Sequence, residues 1–276
     1  VYAGEKREGF TFCPMPVPSA FNEIYHGRDF ADHVGNMLYT RTVLVTEEML
    51  NGRLFLRFAS VTHQAQVWLN GVCLGSHKGG FLPFAFEITQ AVRVGKNDLA
   101  VVVNNIVDHT TLPAGRLVRQ TFPGLKEEVH NLPNFDFYNY SGIMRPVCLY
   151  TTPDTFLEDI SVQGKMDGSF FWKIQVSGMG SLKIRILSPE GGEVYVSENL
   201  SVGESGCLWG EGRLEHVRLW DTKHPWLYQI EAVLVDGNGK RDCCRESFGF
   251  REVHIRDCRL YLNGEPVYLK GFGKHE

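Results

Sequence analysis

The feature that most constrains this chain is a series of short runs in which apolar and polar residues alternate. In the first half these runs occupy residues 37–45, 53–58, 64–69 and 98–103. Alternation with a period of two and enrichment in β-branched and aromatic residues are typical of half-buried β-strands. Asn70-Gly71 follows one run and predicts a hairpin, because both positions tolerate positive φ. Without any amphipathic helical pattern in the first 150 residues, we expect two antiparallel sheets packed face to face.

The same alternation resumes after Thr152-Pro153. The predicted strands are residues 156–162, 170–176, 182–187, 194–196, 217–220 and 228–235. About seven short strands in roughly 100 residues indicate an immunoglobulin-like sandwich, although the Cys-Trp-Cys pattern of antibody domains is absent. We assign no chemistry to this region. Its tryptophans are expected in the core or at an interface rather than as ligand platforms: Trp172, Trp209, Trp220 and Trp226.

Composition narrows the classes of partner. The chain has 276 residues, of which 43% are hydrophobic, so it is long enough to build more than one core. A net charge of -4 and the lack of a long basic run argue against nucleic acid and against an anionic membrane surface. No apolar stretch approaches the ~20 residues of a membrane helix. The first residues are too charged for a signal peptide, so we expect a soluble chain.

The cysteines predict neither a disulfide framework nor a zinc site. Their number, seven, is odd, and Cys243 and Cys244 are adjacent. We expect reduced thiols, a cytoplasmic location, and no metal or organic cofactor. Two sequons, at Asn139 and Asn199, would matter only in a secreted eukaryotic protein.

The candidate binding stretch is residues 134–150. A single acid, Asp136, lies among aromatic residues there: Phe135, Phe137, Tyr138 and Tyr140. A carboxylate can accept hydrogen bonds from two sugar hydroxyls while flat rings cover the apolar face of the sugar. An aromatic-rich segment is also typical of a core. The preceding residues 107–134, interrupted by prolines, are interpreted as a binding loop that leads to Asp136.

The end of the chain differs from the rest. Residues 260–273 predict a hairpin through Asn263-Gly264, followed by a strand that ends in glycines. Lys274-His275-Glu276 then lies where we expect a third domain to begin.

Several segments carry the patterns of a known enzyme family: residues 15–19, 77–84, 104–105, 110–113, 134–152, 249–251 and 271–276. In this order they resemble the amino-terminal part of glycoside hydrolase family 2. Asp-Phe-Tyr-Asn-Tyr-Ser-Gly-Ile at 136–143 and Leu-Tyr-Thr-Thr-Pro at 149–153 are similar to β-glucuronidases rather than to the family's galactosidases or mannosidases. The family's opening Leu-Ser-Gly-x-Trp-x-Phe pattern is not recognisable in residues 1–12.

The resemblance implies an all-β architecture that ends at the start of a barrel. Residues 1–152 would form a jelly-roll sugar-binding sandwich, and residues 153–256 an immunoglobulin-like β-sandwich. Residues 257–276 would be the first strand of a truncated (β/α)8 barrel. Family members hydrolyse with retention through two glutamates about 5 Å apart in the barrel. We therefore expect no catalytic residue in this chain, and no activity from it alone.

By the same resemblance, Asp136 and His275 would bind the sugar of a β-D-glucuronide. A homotetramer is implied in the same way. Two alternatives stay open at this point. One is a β-galactosidase of the same family, and the other is a non-catalytic carbohydrate-binding β-sandwich.

Overall fold

The computed structural model describes residues 12–25, 27–121, 123–124, 127–203 and 206–274. The chain divides into two compact units, Val1–Thr151 and Thr152–Glu276. The first unit contains two four-residue α-helices and a 3-10 helix: α1 Phe21–Ile24, α2 Arg28–Ala31 and Glu48–Leu50. Its strands are β1 Asn36–Val45, β2 Arg53–Phe58, β3 Gln64–Leu69, β4 Val72–Lys78, β5 Phe84–Glu87, β6 Gly95–Asn104, β7 Gly115–Gln120, β8 Glu128–Pro133 and β9 Val147–Thr152.

The first unit is a sandwich of two sheets. Sheet 1 has the order β1-β6-β3-β4, and sheet 2 has the order β5-β2-β9. Leu56 and Phe58 of sheet 2 share one hydrophobic core with Val67 and Val101 of sheet 1. Alternate residues of these strands point into the core, as the period-two pattern predicts. The all-β expectation is thus confirmed for this unit.

The hairpin at Asn70-Gly71 is also confirmed. Asn70 and Gly71 have φ values of 51° and 82°, as a two-residue turn with positive φ at both positions requires. The Asn70 side chain also binds the neighbouring strand connection, since its Nδ2 donates to Asn97 Oδ1 at 2.8 Å. The turn therefore fixes β4 against β3 and is tied to the start of β6.

The predicted loop of residues 107–134 contains regular structure. Strands β7 and β8 pair as an antiparallel ribbon from Gly115 opposite Pro133 to Gln120 opposite Glu128. An ion pair between Arg119 Nη1 and Glu127 Oε2, 2.8 Å apart, lies near the Gln120–Glu128 end of the ribbon, where the chain passes from β7 to β8. The prolines that argued against strands lie outside the ribbon or at its last residue, where a missing donor breaks no inner ladder bond.

The second unit contains the remaining strands: β10 Phe156–Gly164, β11 Ser169–Ser177, β12 Gly180–Leu187, β13 Glu193–Val196, β14 Leu200–Val202, β15 Gly206–Arg213, β16 Tyr228–Val235, β17 Arg241–Phe248, β18 Val253–Arg256, β19 Arg259–Leu262 and β20 Glu265–Pro266. Sheet 3 has the order β10-β11-β15, and sheet 4 the order β13-β12-β16-β17 with β14 also paired to β12. Trp172 and Ile174 of sheet 3 share a core with Ile184 and Ile230 of sheet 4. This unit is a second β-sandwich.

One local prediction in the second unit was wrong, and some strands were missed, among them β15 and β17. Residues 217–220 form isolated bridges at Leu219 and Trp220 rather than a strand. Strand β15 was not predicted from the sequence, because glycines occupy several of the positions where an alternating pattern would show apolar residues.

Gly210 and Gly212 of β15 face large rings across the sheet. Gly210 lies opposite Trp172 and Gly212 opposite Phe170. A Cβ atom at Gly210 would lie 2.4 Å from Trp172 Cζ2, and one at Gly212 would lie 2.4 Å from Phe170 Cζ. Since both rings are buried, neither can move aside easily. The glycines therefore provide the space into which the core rings of sheet 3 pack.

Sheet 4 contains one buried acid. Glu231 of β16 lies directly opposite Arg185 of β12 and Arg245 of β17. Arg185 Nε lies 2.5 Å from Glu231 Oε1, and Arg245 Nε binds Oε2. The hydrogen bond from Arg185, followed by that from Arg245, lowers the pKa of Glu231 against the opposing effect of burial. The carboxylate stays charged and connects three adjacent strands.

The last part of the chain confirms the Asn263-Gly264 hairpin, whose residues have φ values of 52° and 82° and join β19 to β20. Within the described residues, 267–274 form no strand. The strand predicted after this hairpin is thus not formed by these residues. A strand of a parallel barrel needs neighbouring strands as hydrogen-bond partners. His275 lies outside the described residues.

Two further findings concern the whole described chain. All seven cysteines are free thiols. Among the described residues, no helix has the length and apolar character needed to cross a membrane.

We expect Gly210→Ala to destabilise the second unit by about 1–3 kcal/mol, because the added methyl overlaps the Trp172 ring. Gly206→Ala is the matched control, since a Cβ at Gly206 of the same strand would have no atom within 4 Å. Urea unfolding followed by tryptophan fluorescence measures both. Equal stability of the two variants would contradict the packing assignment.

Candidate functional site

Asp136 lies on the surface, in a bend directly after β8. Phe135 is 59% exposed and Tyr138 is 52% exposed, and Tyr140 is exposed as well. The rings of Phe135 and Phe137 meet edge to face with centroids 5.8 Å apart. The segment thus presents a carboxylate and several aromatic faces to solvent, and the core interpretation fails for three of its four rings.

Backbone contacts hold both ends of this segment. The Asn134 N–H donates to the Ala114 carbonyl at 3.0 Å. At the other end, the Thr62 N–H donates to the Gly142 carbonyl at 3.0 Å, and the Gly142 N–H donates to Thr62 Oγ1 at 3.1 Å. Gly142 has a φ of 141°, and a Cβ there would lie 2.8 Å from the Ser19 carbonyl oxygen. Glycine is therefore required where the segment enters the body of the unit.

Asn139 fixes the middle of the segment through three contacts with residues distant in the chain. Its carbonyl accepts from Asn22 Nδ2 at 2.9 Å, and its Nδ2 donates to the Asn105 carbonyl at 3.1 Å. Its Oδ1 lies 2.5 Å from His63 Nε2. These bonds join residues far apart in the chain and orient the Asn139 side chain inward. A sequon asparagine held in this way is not available to accept a glycan without breaking these bonds.

Asn105 and Ser141 complete the arrangement. Asn105 Nδ2 donates to the His33 carbonyl at 2.8 Å and to Ser141 Oγ at 3.1 Å. The Ser141 N–H in turn donates to Asn22 Oδ1 at 2.9 Å. Asn22, Asn105 and Ser141 are buried, as is His63. We call these residues together with Asn139 the amide network: Asn22, His63, Asn105, Asn139 and Ser141.

The amide network defines the proton position on His63. The Asn105 carbonyl can only accept, so the Asn139 atom that faces it is Nδ2 and the atom that faces His63 is Oδ1. His63 must therefore carry its proton on Nε2. Its Nδ1 is buried and has no hydrogen-bond partner among the described residues. Burial lowers the pKa of His63 below 6.5, while the bond with Asn139 opposes this shift, so the ring is neutral.

The chemistry available to Asp136 is recognition. An ionised carboxylate can only accept hydrogen bonds, and a charge-assisted bond to a sugar hydroxyl contributes about 1.5–3 kcal/mol. That amount orients a sugar but does not break a glycosidic bond. The described residues contain no group of three or more His, Cys, Asp or Glu side chains that could hold a metal ion.

A separate cleft of about 940 Å³ lies in the first unit, away from Asp136. It is lined mainly by apolar side chains of β1, β9 and the segment around Met15, and residues 134–142 are not part of its lining. Its size alone does not connect it with the acid. We therefore locate the candidate sugar site at residues 134–142.

Sequence reasoning identified Asp136 and its rings but not the amide network that supports them. His63 and Asn139 are separated by 76 positions, and Asn22 and Asn139 by 117. No local pattern marks such pairs. The only available signals were Asn105 within a family-like segment and the sequon at Asn139.

Comparison with known protein families identifies the family of this chain. Residues 15–153 match the family described as "Glycosyl hydrolases family 2, sugar binding domain". The chain belongs to glycoside hydrolase family 2. A second match, to "Glycosyl hydrolases family 2", covers residues 150–251. The resemblance inferred from the sequence segments is confirmed.

Similar proteins are β-glucuronidases. A β-glucuronidase of Paenibacillus borealis is 37% identical over 273 residues, which are 95% of this chain and 44% of that protein. A Rattus norvegicus β-glucuronidase is 31% identical over 293 residues, with 100% of this chain and 44% of that protein covered. This family 2 chain thus spans less than half the length of these relatives.

Solved structures agree. The Bifidobacterium dentium β-glucuronidase complexed with coumarin-3-O-glucuronide superposes on this chain with a TM-score of 0.82 at 32% identity. The superposition covers 94% of this chain and 47% of that one. The apo β-glucuronidase of Ruminococcus gnavus gives a TM-score of 0.78 at 34% identity, with 94% and 43% covered.

We expect Asn139→Ala to loosen the segment that carries Asp136, because it removes the hydrogen-bond partner of His63 Nε2 and one of the two donors to the Asn105 carbonyl. A loss of about 1–3 kcal/mol corresponds to roughly five- to 150-fold faster amide exchange at residues 140–142. Hydrogen exchange with mass spectrometry measures this. Asn199→Ala, at the exposed second sequon, is the control. Unchanged exchange in Asn139→Ala would contradict the proposed role.

The neutral His63 also predicts a pH dependence. Because its folded-state pKa is lowered, the unfolded chain binds a proton first as the pH falls. Its contribution to stability is therefore complete above pH 6.5 and decreases as the pH falls from 6.5 toward the lowered value. His63→Gln keeps an amide donor for Asn139 and should flatten the stability profile between about pH 7.5 and about pH 5.

The measurement is the slope of the unfolding free energy against pH, so that an overall loss of packing in the variant does not affect the comparison. His254→Gln, at an exposed position, is the control and should keep the wild-type slope. Identical slopes for the wild type and His63→Gln would exclude this role for His63.

Proposed function

We propose that this chain supplies the sugar-binding part of a β-glucuronidase, in which a (β/α)8 barrel outside these 276 residues supplies the two catalytic glutamates. The observation that carries this proposal is Asp136, exposed among exposed rings on a segment that the buried amide network holds in place. The substrate class is supported by the relatives named above, which are β-glucuronidases.

In this proposal the Asp136 carboxylate accepts hydrogen bonds from two hydroxyls of the glucuronate ring. Phe135 or Tyr138 covers the apolar face of the sugar. The amide network restricts the segment before the substrate arrives, so less conformational entropy is lost on binding. Asp136 acts as a positioning and recognition group, and proton transfer stays with the barrel glutamates.

The remaining assignments belong to the same proposal. Residues 1–152 would be the jelly-roll sugar-binding domain, residues 153–256 the immunoglobulin-like domain and residues 257–276 the start of the barrel. His275 would be a second sugar contact. A homotetramer in the cytoplasm completes the proposal, and the free cysteines support a reducing compartment.

A β-galactosidase of the same family is the nearest alternative, and a binding module without hydrolysis is the next. The substrate preference of an enzyme that contains both this chain and its barrel distinguishes the proposal from these two alternatives. Hydrolysis of a β-glucuronide but not of a β-galactoside supports the proposal. The reverse preference, or no hydrolysis of either substrate, overturns it.

In that enzyme, Asp136→Asn should lower kcat/KM for a β-glucuronide by at least tenfold, because the amide loses the charge-assisted bonds and presents a donor to the sugar hydroxyls. Asp154→Asn, an exposed carboxylate of the second unit, is the matched control and should leave kcat/KM unchanged. A wild-type kcat/KM for Asp136→Asn would remove Asp136 from the site.

A further inference from the structure

Two aromatic side chains lie exposed on the outer face of sheet 3. Trp209 of β15 is 70% exposed and Phe171 of β11 is 43% exposed. Their rings lie 6.3 Å apart between centroids at an interplanar angle of 29°. Trp172, the neighbour of Phe171, is only 4% exposed and lies in the core as expected. Of the two positions expected for the tryptophans, core or interface, Trp172 takes the core, whereas Trp209 lies outside the core. We call Phe171 and Trp209 the aromatic platform.

Strand β15 carries its largest side chain on the solvent-facing side of the sheet rather than on the core-facing side. The inward positions Gly210 and Gly212 carry no side chain, while Trp209, the residue directly before Gly210, points outward. A sheet face that only contacts water normally carries polar residues, and its strand packs apolar residues inward. The indole of Trp209 contributes little to the core of this unit, and together with Phe171 it forms a contiguous apolar patch on the solvent-facing side of the sheet.

Polar side chains surround the aromatic platform in register. One cross-strand row contains Gln163, Phe171 and Glu211, and the next contains Ser161, Lys173 and Trp209. Phe171 thus lies between Gln163 and Glu211, and Trp209, on the edge strand, lies beside Lys173, so both rings have neighbours that donate or accept hydrogen bonds. Lys173 and Glu211 also have opposite charges, so the surround has no strong preference for an anion or a cation.

The platform is too small for a stable protein partner. A Phe or Trp side chain has roughly 150–250 Å² of surface, so the exposed parts of the two rings amount to about 250 Å². A standard protein interface covers roughly 800 Å² on each partner. A small ligand with an apolar face and a polar edge matches both the area and the surrounding groups.

We propose that the aromatic platform binds a pyranose ring of an oligosaccharide, at a site separate from Asp136. The C–H face of the sugar stacks on Trp209, and Phe171 extends the apolar surface toward an adjacent sugar unit. Lys173 donates to a ring hydroxyl, and Glu211 or Gln163 accepts from another. The site would hold a longer glycan, independently of any hydrolysis.

The test is a titration of the 276-residue chain with two probes, cellohexaose as a neutral glycan and a hyaluronan hexasaccharide as a uronate-containing glycan. Tryptophan fluorescence and calorimetry follow binding. We expect saturable binding of cellohexaose, at least tenfold weaker binding by Trp209→Ala, and about threefold weaker binding by Phe171→Ala. Hyaluronan binding that is lost in Trp209→Ala supports the same platform and extends it to acidic glycans.

Three controls make the result specific. Trp226→Ala removes another partly exposed indole, which contacts the Arg218 guanidinium outside sheet 3, and should bind as the wild type does. Trp209→Phe keeps a ring and should retain part of the affinity, while circular dichroism shows that each variant is folded. Asp154→Asn, at an exposed position of the same unit but outside sheet 3, should bind both probes as the wild type does.

The proposal is overturned if the wild type shows no saturable response to either probe, or if Trp209→Ala binds as tightly as the wild type. It is also overturned if sedimentation shows that Trp209→Ala converts an oligomer into a monomer. In that case the aromatic platform is an interface between copies of this chain.

Discussion

Buried hydrogen bonds to Asn139 are the constraint on which the candidate site depends. The segment that carries Asp136 has exposed rings and an exposed acid, so hydrophobic burial cannot hold it. Its position comes instead from His63, Asn105 and Asn22, each of which binds Asn139 from a different part of the first unit. An unpaired amide in such surroundings costs about 1–3 kcal/mol, so the network is stable only when all its members are in place. The support for the acid is therefore cooperative.

The second unit is stabilised in a different way. Its two sheets are held by a conventional core, and its one buried acid is neutralised by Arg185 and Arg245 on both sides of Glu231. Strand β15 is the exception, because glycines face the core and an indole faces solvent. Because Gly210 and Gly212 have no side chains, Trp172 and Phe170 of the neighbouring strand can fill the core. The same strand is then free to present Trp209 outward, so core packing and surface recognition are assigned to opposite faces of one sheet.

Family 2 membership agrees with the chemistry of the described residues. Asp136 can accept hydrogen bonds from a sugar, but retaining hydrolysis requires a pair of carboxylates about 5 Å apart. The chain covers less than half of the β-glucuronidases that resemble it, and the proposed function divides sugar recognition at Asp136 from bond cleavage by a barrel. Such a division places demands on the recognition segment, because its carboxylate must be held at a fixed position relative to groups on other elements.

Local sequence patterns were enough to predict the all-β class, many of the strands, the two turns at Asn70-Gly71 and Asn263-Gly264, the family, and Asp136 as the candidate acid. These depend on local periodicity, on backbone preferences of two adjacent residues, or on short contiguous motifs. Three other features follow only from the folded arrangement: residues 115–133 pair as a ribbon, β15 is a strand, and His63 and Asn139 meet. Those features depend on contacts between residues distant in the chain, and a buried histidine or an outward tryptophan has no local signature that distinguishes it from a surface or core residue.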